Sequence, residues 1–215
     1  MLNSKKLDRT YFQNADVAFL AKDLLGKILF TSKDGAFTAG IITETEAYFG
    51  IEDKASHAYG CRRTARTEAM YQQGGIAYIY LCYGMHYLLN IVVAEQDDPK
   101  SVLIRSIQPF KGMSSIEKRR NRPATDPSVS SGPGSLSKAL GIDLSFNKKL
   151  LTGDEIWIED HGLRYRDDEI ISAPRIGVSY AKEHALLPLR FYVKDNRFVS
   201  KRLHKNSGDL LQSPE

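Results

Sequence analysis

The sequence predicts an α+β fold: a single mixed domain in which strands dominate and a few helices pack around them. Two observations point there. Hydrophobic residues make up 42% of 215 positions, enough for one well-packed domain. Most of them fall in short runs rich in β-branched and aromatic residues between turn signals, while only a few segments carry the helical period.

Asp16 is the predicted N-cap of a helix over residues 17–25, in which Val17, Leu20, Ala21, Leu24 and Leu25 share a face and Gly26 ends the helix in a left-handed conformation. Ile28-Leu29-Phe30, the Asp34-Gly35 turn and residues 37–48 read as a hairpin. From Gly50 to Gly75 the pattern breaks into polar pieces, with helical turns expected from Asp53 and over Thr67 to Tyr71. Residues 76–83, 85–94 and 101–108 form an expected three-strand meander, hinged at Gly84 and at Asp97-Asp98-Pro99-Lys100, with a central place in a sheet. A helix over residues 112–122 ends in the basic cluster Lys118-Arg119-Arg120-Asn121-Arg122, and residues 123–134, rich in breakers, read as a surface loop. Ser135 to Leu140 is a short helix ended by Gly141, residues 155–159 and 189–193 are late strands, and the polar tail over 200–215 is expected to fray.

A net charge of +4 favours a polyanionic partner without requiring one. No apolar run approaches the ~20 residues of a membrane span, and the first residues lack the apolar stretch of a signal peptide, so an intracellular protein is expected. Two cysteines, Cys61 and Cys82, are too few for a disulfide framework and fit a reducing compartment.

The chemistry-bearing segment is Thr43-Glu44-Thr45-Glu46-Ala47-Tyr48. On a regular strand Ile42, Glu44, Glu46 and Tyr48 share a face. Like charges that close cannot both ionise freely, so one carboxyl pKa is expected to rise, which suits a general base; the competing reading is a solvated strand face. Tyr78, Tyr80, Tyr83 and Tyr87 are core-forming strand residues on one reading and base-stacking platforms on the other. Tyr83 beside Gly84 at a hairpin tip is an awkward core residue and a good wedge between base pairs. His57, Cys61, Cys82 and His86 are ligand types for zinc, but their spacing matches no common zinc motif, and no metal or cofactor is expected. Gly132-Pro133-Gly134 ahead of a helix could hold a phosphate, although an ordinary loop is the simpler reading.

Assembled, these residues resemble the alkyladenine (3-methyladenine) DNA glycosylase family of base-excision repair. The matching stretches are Glu44 to Tyr48, Ala55-Ser56-His57, Tyr78 to Asn90, Val102 to Arg105, Ser131-Gly132-Pro133, Arg175 to Val178 and Pro188 to Val193, which gives a core of about residues 16–193 within one glycosylase domain over 1–215. The resemblance implies a curved antiparallel sheet with surrounding helices and a protruding hairpin that enters the minor groove. It implies Glu46 as the base that activates water, with Arg105 and the backbone of Val178 holding that water. It also implies Tyr48, His57, Tyr80, Asn90 and Leu103 as the pocket of a flipped base, Asn90 crowding the 2-amino group of guanine, and Tyr83 with Met85 as the intercalating tip. The implied partner is double-stranded DNA with alkylated or deaminated purines, met by a monomer that leaves an abasic site. A non-catalytic nucleic-acid-binding domain of the same fold and a hydrolase of free nucleosides are the alternatives, and the extra residues at Asp97 to Lys100 depart from the family pattern.

Overall fold

Hairpins organise the molecule, and the first is set by two left-handed residues. Asp34 (φ 51°) and Gly35 (φ 72°) make the tight turn between β2 (Ile28–Lys33) and β3 (Ala36–Tyr48), after a short β1 (Lys5–Lys6) and helix α1 (Val17–Asp23). The computed structural model describes residues 5–202; the tail expected to fray from residue 203 on lies outside the described residues. There follow β4 (Ile76–Cys82), β5 (His86–Val93), β6 (Lys100–Lys111), α2 (Met113–Arg120), α3 (Pro133–Leu140), β7 (Ile156–Asp160), β8 (Ile170–Ala173) and β9 (Arg190–Val193). All pairings are antiparallel, in the order β1-β7-β2-β3-β6-β5-β4, with β9 joined to β3 and β8, and the sheet is curled.

One face of the sheet carries the main core. The Asp16 carboxylate accepts the Phe19 N–H at 2.9 Å and starts α1, whose Val17, Leu20 and Ala21, with Leu24 and Leu25 behind them, pack on Ile42, Ala47, Ile91, Val102 and Ile104. Gly26, at φ 87°, ends the segment. The Thr45 hydroxyl donates to the Ala21 carbonyl at 2.7 Å and fastens β3 to the helix.

The second feature is an irregularity. β3 is bulged between Ile42 and Thr45, where its pairing with β6 slips. Ile42 therefore does not share the face of Glu44 and Glu46, as a regular strand would require, but points into the main core. At the same place β3 changes partner, from β2 before the bulge to β9 over Glu44 to Glu46.

Two further expectations are revised. The meander β4-β5-β6 is not central: β4 ends the sheet path, and only β6 lies in its middle, because β3 pairs with β6 along most of its length. The stretch from Pro123 to Gly134 is only partly a surface loop, since Val129 and Ser130 are fully buried and the Ser130 hydroxyl donates to the Ile107 carbonyl. In the basic cluster, Arg119 donates to Thr38 and the Ala139 carbonyl, and Arg120 to the Ser128 and Val129 carbonyls and to Ser135, so both hold the two helices in place. Asp53 ends a 3-10 turn over Gly50–Glu52, though the turn expected after it does form, with the Ser56 N–H on the Asp53 carbonyl.

Leu24 is fully buried whereas Phe19 on the outer side of α1 is 53% exposed. Leu24→Ala is expected to cost about 2–5 kcal/mol of unfolding free energy in a urea titration, and Phe19→Ala within about 0.5 kcal/mol of none.

Candidate active site

Strand register assembles the site. Directly paired residues run in a row across five strands: Arg190 (β9), Glu46 (β3), Leu103 (β6), Asn90 (β5) and Tyr78 (β4). Opposed residues of an antiparallel ladder point to the same face, so this row lies on one side of the sheet, opposite the α1 core. On that side is a cavity of about 590 Å³, lined by Tyr48, His57, Tyr80, Tyr83, Asn90, Leu103, Arg105 and Val178 among others. These are eight of the ten residues the sequence singled out. Of the other two, Glu46 is fully buried beneath the wall, and Met85, 69% exposed, faces a separate hollow beside Lys33 and Lys138.

Under the floor lies a charge network. Arg105 donates from Nε to Glu44 at 3.0 Å and reaches Glu46 from Nη1 at 3.1 Å, so one guanidinium stands between the two carboxylates. Glu44 also accepts from Arg190 (3.0 Å), the Ser106 hydroxyl (3.2 Å) and the Ser200 N–H (2.7 Å). The premise of two mutually repelling carboxylates therefore does not hold, and Glu44 has no capacity left for chemistry. Burial works against the Arg105 charge, but Glu46 and Glu44 outweigh it and hold the guanidinium above its ordinary range.

Glu46 is differently placed. Oε1 accepts the Ile176 N–H at 2.7 Å and Oε2 accepts the Tyr48 hydroxyl at 2.8 Å, and Tyr48, Ile176 and Arg105 all line the cavity. An ionised carboxylate offers about four acceptor positions, of which the Ile176 N–H and the Tyr48 hydroxyl take two, while the Arg105 guanidinium pairs with it at 3.1 Å. Burial and the neighbouring Glu46 hold the Tyr48 hydroxyl well above the phenol range, so it remains a donor.

The walls are aromatic. His57 meets the Tyr80 ring edge-on at 4.6 Å, and its Nδ1 is 2.9 Å from the Tyr78 hydroxyl, so Tyr78 is a buried residue that fixes a wall. Burial, then the charges of Arg66 and Arg62, lower the His57 pKa to about 4, which makes it neutral at physiological pH. Opposite, Arg175 lies 4.7 Å from the Tyr48 ring centre and is held by a buried, bidentate pair with Asp53. Sequence reasoning missed Arg66, Asp53, Arg175, Arg190 and Ser200; their only signal was that Arg175 and Arg190 fell within the recognised stretches.

The hairpin tip projects beside the cavity. Tyr83 is 87% exposed and, like Gly84, left-handed (φ 50° and 69°), so the ring is presented and not packed. Gly134, at the start of α3, lies so near His86 that an added Cβ would be 2.8 Å from the His86 Cγ, which seats the tip end of the hairpin, where His86 pairs with Cys82, against the helix. The Asp97 to Lys100 segment is tied down by Arg63–Asp97 and Lys100–Asp98 pairs. Among the described residues no group of three or more His, Cys, Asp or Glu could hold a metal, and no helix is long and apolar enough to cross a membrane.

A family model described as methylpurine-DNA glycosylase matches residues 11–197. Relatives provisionally named 3-methyladenine DNA glycosylase include one from Chlamydia abortus, 46% identical over 188 residues (86% of this chain, 96% of the relative). A second, from Borreliella burgdorferi, is 44% identical over 200 residues (91% and 100%), and a third, from Clostridium perfringens strain 13, is 43% identical over 199 (89% and 97%). A match over most of the chain, with a cavity, a buried carboxylate and a presented aromatic tip on one sheet face, defines the class: a DNA glycosylase, which acts on DNA. The chain belongs to the methylpurine-DNA glycosylase family.

The depressed His57 pKa has a consequence for stability. Below pH 6.5 the unfolded chain takes up a proton on His57 that the folded chain refuses until about pH 4, so stability present above pH 6.5 is lost as pH falls through that window. His57→Gln is expected to flatten the decline by about 1–2 kcal/mol, discounted for the partly exposed ring, as read by urea denaturation at pH 7 and pH 4.5.

Proposed function

We propose that this glycosylase turns damaged purines (3-methyladenine, 7-methylguanine, hypoxanthine and ethenoadenine) out of duplex DNA and hydrolyses the N-glycosidic bond, leaving an abasic site in an intact strand. Extruding a base costs a few kcal/mol, least for damaged or mispaired bases, so selection begins before chemistry. Tyr83, aided by Met85, fills the gap in the duplex. The base enters between Tyr48 on one side and His57 with Tyr80 on the other, with Leu103 and Asn90 along one edge and Asn90 crowding a 2-amino group.

Glu46 takes a proton from a water held with the help of Arg105 and the Val178 backbone. The water oxygen bonds to the anomeric carbon, and the bonding pair of the broken C–N bond leaves with the purine. The anionic carboxylate also stabilises the oxocarbenium-like transition state. The observation that carries this reading is the sequence of depths on one sheet face: an exposed Tyr83, then the cavity, then Glu46 with two hydrogen-bond donors and one guanidinium supplied by the cavity wall. One chain supplies all three parts, which supports a monomer as the acting unit.

Glu46→Gln is expected to keep lesion-duplex affinity within a few-fold while single-turnover base release falls by several orders of magnitude. Abasic sites formed by the variant at the parental rate would end the assignment of Glu46 as the base, no abasic sites formed by the parent would leave a non-catalytic domain, and release from free inosine as fast as from duplex would favour a nucleoside hydrolase.

Tyr83→Ala is expected to weaken binding and base release on duplex by about tenfold or more while largely sparing a single-stranded lesion, because a wedge matters only where a stack must be opened. Equal losses on both substrates, measured side by side, would remove the wedge role.

A further inference from the structure

The aromatic walls are already occupied electrostatically. A ring face attracts a cation through its quadrupole, and a cationic alkylated purine stacked between Tyr48 and Tyr80 would draw on that attraction. Yet Arg175 lies 4.7 Å from the Tyr48 ring centre and Arg66 lies 5.1 Å from the Tyr80 ring centre. The two guanidiniums differ. Arg175 is buried, its charge is balanced by Asp53, and it lies outside the cavity wall.

Arg66 is exposed and lines the cavity, and among the described residues no carboxylate forms an ion pair with it, in contrast to the neighbouring Arg63, which is paired with Glu68 and Asp97. Nor does the same wall hold an anion to offset it: the ring next to Tyr80 is His57, and Glu46 beneath the floor is already matched by Arg105. The geometry agrees with the direction of the His57 shift, which burial lowers first and the nearby Arg66 and Arg62 charges lower further.

We propose that Arg66 is a specificity-determining residue that biases the cavity toward neutral purines and against cationic ones. A purine seated on Tyr80 comes within several ångströms of the guanidinium. There a ring bearing a positive charge is repelled, whereas a neutral ring can accept from its N–H groups through a ring nitrogen or carbonyl oxygen. Neutral lesions such as hypoxanthine thereby gain over N7-methylated guanine beyond what shape and stacking provide. The inference rests on the glycosylase reading above.

The test is the ratio of single-turnover base release from duplexes carrying one 7-methylguanine or one hypoxanthine, for the parent, Arg66→Gln and Arg66→Lys. Arg66→Gln is expected to raise the ratio of 7-methylguanine to hypoxanthine rates roughly tenfold, the order of one partly screened charge, with the gain shrinking at high salt. Arg66→Lys is expected to retain the parental ratio. Rates on both lesions changing by the same factor would overturn the proposal and make Arg66 a backbone contact only. A parent that releases neither base would instead overturn the glycosylase reading, and equilibrium binding of inosine and 7-methylguanosine to parent and Arg66→Gln then decides: a relative gain for 7-methylguanosine supports the charge filter, and equal changes end it.

Discussion

Two carboxylates with no solvent exposure cannot be tolerated without matching positive charge, and that constraint governs this molecule. Glu44 and Glu46 are balanced by Arg105 and Arg190, so the set is electrically neutral. It draws on β3, β6 and β9, and on the segment just after them through the Ser200 N–H and the Lys201 carbonyl, which accepts from Arg190. Removing one partner of such a buried set costs on the order of 3–5 kcal/mol, a large part of a typical domain's stability. The site geometry and the closure of the sheet are thus the same interaction seen from two sides. Glu44 holds Arg105, and Arg105 in turn faces Glu46.

The bulge in β3 makes this possible. A regular strand would align Ile42 with the two glutamates and place an apolar side chain among charges. With the extra residue, Ile42 enters the α1 core while Glu44, Glu46 and Tyr48 turn to the other side of the sheet, where Tyr48 lines the cavity and the two glutamates are buried beneath it. The bulge also marks where β3 leaves β2 for β9, which brings Arg190 opposite Glu46. A second buried pair, Asp53 with Arg175, then fixes the segment that delivers the Ile176 N–H to Glu46. The working groups sit on rigid strands and on a loop clamped by a salt bridge, whereas Tyr83 sits on an exposed turn.

Much of this was legible in the chain. The α1 helix, the Asp34-Gly35 hairpin, the two strands around Gly84 and the α3 helix follow from capping residues, left-handed turn positions and local periodicity, all of which act over a few residues. The exposed Tyr83 tip was readable for the same reason. Eight of the ten site residues recognised in the sequence line one cavity, because the stretches that carry them become neighbouring strands. The short β1 and β8 were not readable, since two to four residues with weak hydrophobic alternation form strands only by pairing with β7 and β9.

By itself, the sequence determined which residue types are available and which local conformations they take: the paired glutamates, the tyrosine-rich hairpin with its glycine, and the caps and turns. Only the tertiary structure decided what those groups mean. It made Glu44 a structural counter-charge and set Glu46 beneath the cavity, held by the Tyr48 hydroxyl, the Ile176 N–H and Arg105. It spent Arg119 and Arg120 on helix packing and left Arg66 over Tyr80 with no carboxylate partner among the described residues. The reason is range: a turn or cap is set by neighbours in sequence, whereas the balance of a buried charge is set by whatever distant strand, here Arg105 and Arg190, the register of the sheet brings within 3 Å or so.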